Sequence, residues 1–127
     1  MLFRSGPDGP TGNVLYAWDP IARKERWRAA GGGAGAFSGG TLATAGNTVF
    51  SSVNSKLIAY KADTGDKLAE LDLDIAQAGP PVSVLIGGKQ YILVTGTPSG
   101  TQAAGPNATQ VDATAGATSK MIALALP

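Results

Sequence analysis

The strongest constraint on what this chain can fold into is that part of it occurs twice. Residues 15–27, LYAWDPIARKERW, lie over residues 57–69, LIAYKADTGDKLA, at an offset of 42. Ala17 then falls on Ala59 and Trp18 on Tyr60. Residues 41–50 and 82–93 fall near the same offset, each reading as strand, turn and strand. A period of about 40–45 residues with four strands is the pattern of a β-propeller blade. The final segment, KMIALALP, extends the series. Ala123 matches Ala59 at a separation of 64, and the excess of 22 over the repeat equals the length of residues 97–118. That span therefore reads as an insertion in an otherwise regular repeat.

Local patterning agrees with an all-β fold. Short runs rich in β-branched and aromatic residues are separated by turn residues, and no segment sustains the i, i+3, i+4, i+7 spacing of a helix. Strands are expected over residues 14–19, 25–29, 41–45, 48–53, 56–61, 67–73, 82–86, 90–95 and 120–126. Asp63-Thr64-Gly65-Asp66 is a strong turn, and Gly87-Gly88 is a two-residue hairpin. Residues 1–13 read as a turn-rich lead-in, and residues 97–119, rich in Thr, Ala and Gly, as a long flexible loop. The expected fold is about two blades of a β-propeller, each a four-stranded antiparallel sheet, in one partial domain over residues 1–127. Two blades cannot close a ring, which leaves faces and edges open. The partners this implies are the remaining blades of a propeller or further copies of the chain.

Composition removes several functions. Hydrophobic residues make up 43% of the 127 and charged residues 15%, enough apolar side chain for a core. The net charge of +1 gives no steering towards nucleic acid. There is no histidine and no cysteine, which removes the commonest general base near neutral pH, the commonest metal ligand and any disulfide. No apolar run approaches the ~20 residues that cross a bilayer as a helix. Residues 1–10 do not read as a signal peptide.

The remaining chemical motifs read more simply as structure. The stretch AGGGAGAFSGG contains G-x-G but lacks the Lys-Ser/Thr and the helix of a phosphate loop. Asp63, Asp66, Asp72 and Asp74 lack calcium-loop spacing, and Asp72 and Asp74 read as alternate residues on one solvated strand face. Arg23-Lys24-Glu25-Arg26-Trp27-Arg28 reads as a solvated hairpin with one inward Trp. No catalytic residue and no metal ligand is identified.

Four stretches carry a family resemblance: AWDPIARKERW at 17–27, GGTLATAGNTVF at 39–50, LIAYKADTGDKL at 57–68 and GGKQYILVTG at 87–96. In order and spacing they resemble the last blades of the quinoprotein methanol/ethanol dehydrogenases, which depend on pyrroloquinoline quinone (PQQ). KMIALALP resembles the strand that ends that propeller. The family's blades carry tryptophan-docking motifs of the form A-x-D-x-x-T-G-x-x-x-W. Ala17, Asp19 and Trp27 keep this pattern, as do Ala59, Thr64 and Gly65, whereas Lys61 replaces the Asp and Ala69 the second Trp.

The resemblance implies oxidation of an alcohol with PQQ and calcium in the complete enzyme, in the periplasm. Its catalytic Asp, calcium ligands and vicinal disulfide lie upstream of this region, so neither group is expected to bind this chain alone, which is expected to be inactive by itself. The positions nearest the quinone would be Phe37 and Ser38, where the family usually has Trp or Asn, and Pro98, where it usually has Trp. An alternative reading is a non-catalytic module of propeller blades, or a degenerate gene remnant.

Overall fold

The computed structural model describes residues 2–7, 13–30, 38–98 and 119–126. They form eleven strands: β1 (Leu2–Pro7), β2 (Asn13–Asp19), β3 (Lys24–Ala30), β4 (Ser38–Thr44), β5 (Thr48–Val53), β6 (Lys56–Lys61), β7 (Lys67–Asp72), β8 (Ile75–Ala78), β9 (Val82–Ile86), β10 (Lys89–Pro98) and β11 (Lys120–Ala125). Every pairing is antiparallel. The first sheet has the order β1-β2-β3 and the second β4-β5-β6-β7. The third runs β11-β10-β8, with β9 also on β10. Because β11 pairs with residues of β10 that also pair with β8 or β9, those two lie together on the opposite edge. They are one rail broken at Gly79-Pro80-Pro81, where proline removes ladder donors.

The expected strands are present, several to the residue: β5, β6 and β9 match the reading from sequence. Two strands were not anticipated. β1 lies within the stretch read as a lead-in, and β8 is a four-residue strand before the Gly-Pro-Pro break. Within the stretch expected to be a loop, 97–119, Thr97 and Pro98 instead continue β10. Residues 99–118 lie outside the described residues. Asp72 and Asp74 do not share a strand face, because β7 ends at Asp72 and the Leu73 amide turns to the Ser55 carbonyl at 2.7 Å.

The three sheets stack face to face, and the second is the middle layer. Leu15, Ala17 and Trp27 of the first sheet pack against Val49, Ile58 and Tyr60 of the second. Phe50, Leu57 and Ala59 on its opposite face pack against Ile75, Ala78, Ile92 and Val94 of the third, with Ile122, Leu124 and Leu126 behind. Adjacent residues of β5 and β6 thus serve opposite cores. This is why both read as unbroken apolar runs, as strands covered on two faces do. β11 is covered on one face only and alternates. Fully burying a Leu or Ile such as Leu57 or Ile92 contributes about 1.5–3 kcal/mol.

The repeat seen in sequence is a repeat of geometry. The β2–β3 and β6–β7 hairpins occupy the same place in their sheets, and each register shifts before the turn, between Ala17 and Trp18 in one and between Ala59 and Tyr60 in the other. Arg23, 42 residues before Gly65, shares its left-handed backbone, with φ 51° against 80°. β11 pairs with β10 as β6 does with β5, so that Leu93 faces Ala123 as Phe50 faces Ala59.

Candidate functional site

Two places in this stack could bear on function: the start of β4, where Ser38 lies, and the contact that joins the first sheet to the second.

Ser38 is half-buried and opens β4 opposite Val53, just before a register irregularity that ends at Gly40. Here β4 approaches β8 so closely that a Cβ on Gly39 would fall 1.8 Å from the Ala78 carbonyl oxygen, and only glycine fits. Around this point the second and third sheets are sewn together. The fully buried Ser52 hydroxyl donates to the Gly79 carbonyl at 2.7 Å. The Ala78 amide donates to the Asn54 carbonyl, and within the third sheet the Gly79 amide donates to the Thr95 carbonyl, both at 2.7 Å. Beyond its glycines this seam is not legible in the sequence, because hydroxyl-to-carbonyl bonds between sheets leave no periodic signature.

Of the positions the resemblance pointed to, Ser38 borders this seam and Phe37 lies outside the described residues. The backbone of Pro98 is on β10 opposite Ile75, in the same sheet as β8. The seam residues Gly39, Gly40, Ser52, Ala78, Gly79 and Pro80 offer a hydroxyl and carbonyls and no charge. Among the described residues, no three acidic groups come together in a way that could hold a metal ion, and no buried side-chain polar atom lacks a partner. These residues by themselves therefore fit neither a calcium ion nor a carboxylate-bearing quinone, which call for acidic ligands and cationic partners.

The second place is built around Trp27. It projects from β3 towards the second sheet, where its indole N–H donates to the Ala62 carbonyl at 2.8 Å. Its ring lies on Gly65: a Cβ there would stand 2.6 Å from the indole, and the backbone φ is +80°. Space and backbone thus both require glycine at 65. Tyr60 closes the other side, its ring centroid 6.3 Å from that of Trp27, and burial pushes the Tyr60 hydroxyl pKa up. The turn that positions Gly65 is closed by its own amide on the Lys61 carbonyl and by the Lys61 amide on Asp66, both at 2.8 Å. In the equivalent turn of the first sheet, Asp19 does this work with its side chain. Its Oδ1 accepts from the Ile21 and Ala22 amides at 3.0 Å each, and these bonds, with Arg26 nearby, hold its pKa below the usual carboxylate range. The Lys-for-Asp difference between the two turns is therefore the absence of this side-chain closure from the second. Ala69, in the place of the second Trp, is exposed, as is the whole of β7.

Face-to-face antiparallel sheets that repeat one strand–turn–strand unit define a segment of a β-propeller. Comparison with known proteins gives this segment a family. The chain is 40% identical over 86 residues to a quinohemoprotein alcohol dehydrogenase of Comamonas testosteroni, a match covering 67% of this chain and 12% of that protein. It is 42% identical over 79 residues to a quinohemoprotein alcohol dehydrogenase of Pseudomonas putida, covering 61% and 11%. It is 37% identical over 81 residues to a 1-butanol dehydrogenase (cytochrome c) of Thauera butanivorans, covering 63% and 11%. The crystal structure of the Comamonas testosteroni enzyme superposes with a TM-score of 0.59 at 38% identity, over 65% of this chain and 12% of that one. No protein-family model matches. The chain belongs to the quinoprotein alcohol dehydrogenases and spans about an eighth of the length of the relatives it matches.

Proposed function

We propose that the chain is the last-blades segment of a PQQ-dependent alcohol dehydrogenase, and that it supplies one wall of the quinone pocket and none of the reacting groups. The observation that carries this reading is the 40% identity to an alcohol dehydrogenase over 67% of the chain. It is supported by the Trp27 indole seated on Gly65, which corresponds to the family's tryptophan-docking contact. In this reading Phe37, Ser38 and the Pro98 region face the quinone, and the periplasm is the site of action. The base that accepts the alcohol's proton and the acidic ligands of calcium come from other segments of the complete enzyme. The test is a titration of the purified chain with PQQ and calcium in the presence of ethanol and an artificial electron acceptor. No turnover is expected. Saturable, PQQ-dependent dye reduction by the chain alone would overturn the division of labour proposed.

A second reading, a non-catalytic module of propeller blades, is favoured by Ser38 and Ala69 standing where the family usually has a pocket residue and a docking Trp. It predicts a stable, defined assembly in light scattering. A third, a degenerate remnant without a function of its own, is sunk by cooperative thermal unfolding of the purified chain.

A further inference from the structure

One occupied seat defines what a docking tryptophan needs. Trp27 lies on Gly65, where a Cβ would stand 2.6 Å from the indole Cδ2 and 2.9 Å from its Cγ, inside the 3.0 Å limit that Cβ contacts keep. Any side chain at this position therefore displaces the indole. Tyr60 closes the side of the seat, and the Ala62 carbonyl receives the indole N–H.

The first sheet carries the same seat with different contents. Its hairpin has the same length, the same register shift and the same left-handed residue, so positions 18, 20 and 23 stand for 60, 62 and 65. Pro20 keeps a carbonyl at the place of Ala62, so the acceptor is not what changes. Arg23 stands for Gly65 and Trp18 for Tyr60. The floor of this seat thus holds a long side chain, and its side holds a larger ring. An indole arriving as Trp27 does would meet the Cβ of Arg23 at a separation that atoms do not adopt. Arg23 also keeps its backbone at φ 51°, a conformation that favours glycine. Among the described residues, the other two non-glycine positions of positive φ are Asn47 and Asn54, and asparagine visits this region readily. Arginine does not, so a side chain held here against the backbone's preference points to a use for that side chain.

The second sheet shows what a blade without the indole presents: Ala69 stands 42 residues after Trp27. Opposite such a blade the Arg23 side chain has room, and its flat guanidinium suits the slot that an indole would otherwise fill. We infer that Arg23 makes the face of the first sheet turned away from the second a docking seat that refuses tryptophan, fitted to a blade with a small side chain at the place of Trp27. At that junction the large planar group comes from the seat and the gap from its neighbour. This reverses the junction between the first and second sheets. That a blade packs there rests on the reading of the chain as a propeller segment, whereas the refusal of tryptophan rests on the geometry of this chain alone.

The seat is tested at the second sheet, where its occupant is present. Thermal melts of the full chain, followed by far-UV circular dichroism, compare Gly65→Arg, Trp27→Ala and Gly65→Arg/Trp27→Ala. Gly65→Arg alone is expected to undock Trp27, with its emission moving to longer wavelength in a Trp18→Phe background. Adding Trp27→Ala is expected to raise the melting temperature of Gly65→Arg, although Trp27→Ala by itself lowers that of the wild type. Should Gly65→Arg not fold, the double variant is expected to recover the sheet spectrum. A double variant that melts no higher than Gly65→Arg, or that stays unfolded with it, overturns the proposal. So does a Gly65→Arg variant whose Trp27 emission stays unshifted. The neighbour is tested in the complete dehydrogenase that carries this segment, where Arg23→Gly is expected to lower the melting temperature by emptying the slot. An unchanged value means that Arg23 fills nothing, a raised one that a tryptophan opposes it, and either overturns the proposal. The comparison of variants in the chain needs no ring, so absence of PQQ-dependent activity from the complete protein would count against the quinone reading alone.

Discussion

Trp27 concentrates more of the structure than any other side chain. It is 8% exposed, stacks on a glycine and donates to a carbonyl 35 residues away. Trp27→Ala should cost about 3–5 kcal/mol in a urea titration, a large part of what a small domain has. Trp27→Phe keeps most of the buried area but leaves the Ala62 carbonyl without its donor, at about 1–3 kcal/mol. Gly65→Ala should destabilise by roughly 1–3 kcal/mol from the backbone alone, with further loss from displacing the indole, and circular dichroism melting checks it. Ser52→Ala removes the donor to the Gly79 carbonyl at the seam and should cost about 1–3 kcal/mol in the same assay. Trp27 and Gly65 were legible in the sequence, because the repeat aligned their hairpins. The Ala62 carbonyl and the Ser52 bond were not, since which backbone groups meet across two sheets depends on how those sheets stack.

At the scale of the element, strands were found where composition and turns agreed. β5, β6 and β9 are bounded by Asn- and Gly-bearing turns and rich in Val, Ile and Leu, so their ends are marked in the residues. β1 was hidden because Gly6 and Pro7 are turn residues by propensity, and pairing along β2 overrides that. β8 was hidden by its length of four residues. On β6 and β7 the charges form a local cluster: Glu70 accepts from Lys56 at 2.5 Å and Lys67 at 2.9 Å, and these bonds lower its pKa to about 2. A carboxylate whose folded pKa is depressed stabilises fully above its unfolded value of 4.5 and loses that contribution as pH falls towards 2. The melting temperature should therefore drop between pH 5 and 2. Glu70→Gln should flatten part of that drop, with Asp19 and Glu25, both also held low, supplying the rest.

Across the whole molecule, the fold class and the repeat were legible in the residues, and the number of layers was not. About two blades were expected. The structure divides the strands into one four-stranded sheet, flanked by a three-stranded sheet and by one whose first rail is broken by Pro80-Pro81. Of the residues expected to face a quinone, Ser38 borders a seam between sheets. What the seam lacks in charge could not be read from spacing, because it depends on which residues of β8 come opposite Gly39. The chain also spans only 12% of the Comamonas testosteroni dehydrogenase it matches.

The middle sheet's two covered faces set the order in which the molecule opens. Val49 to Val53 and Leu57 to Tyr60 give up their amide protons only when cores on both sides separate, whereas β11 and β7 need lose only one side or none. Exchange into deuterated water should show slow amides along β5 and β6 and fast ones along β7, a gradient from centre to rim. A protease would accordingly find its first cuts on the outer rails and leave a resistant hairpin, 48–61, that outlasts the rest.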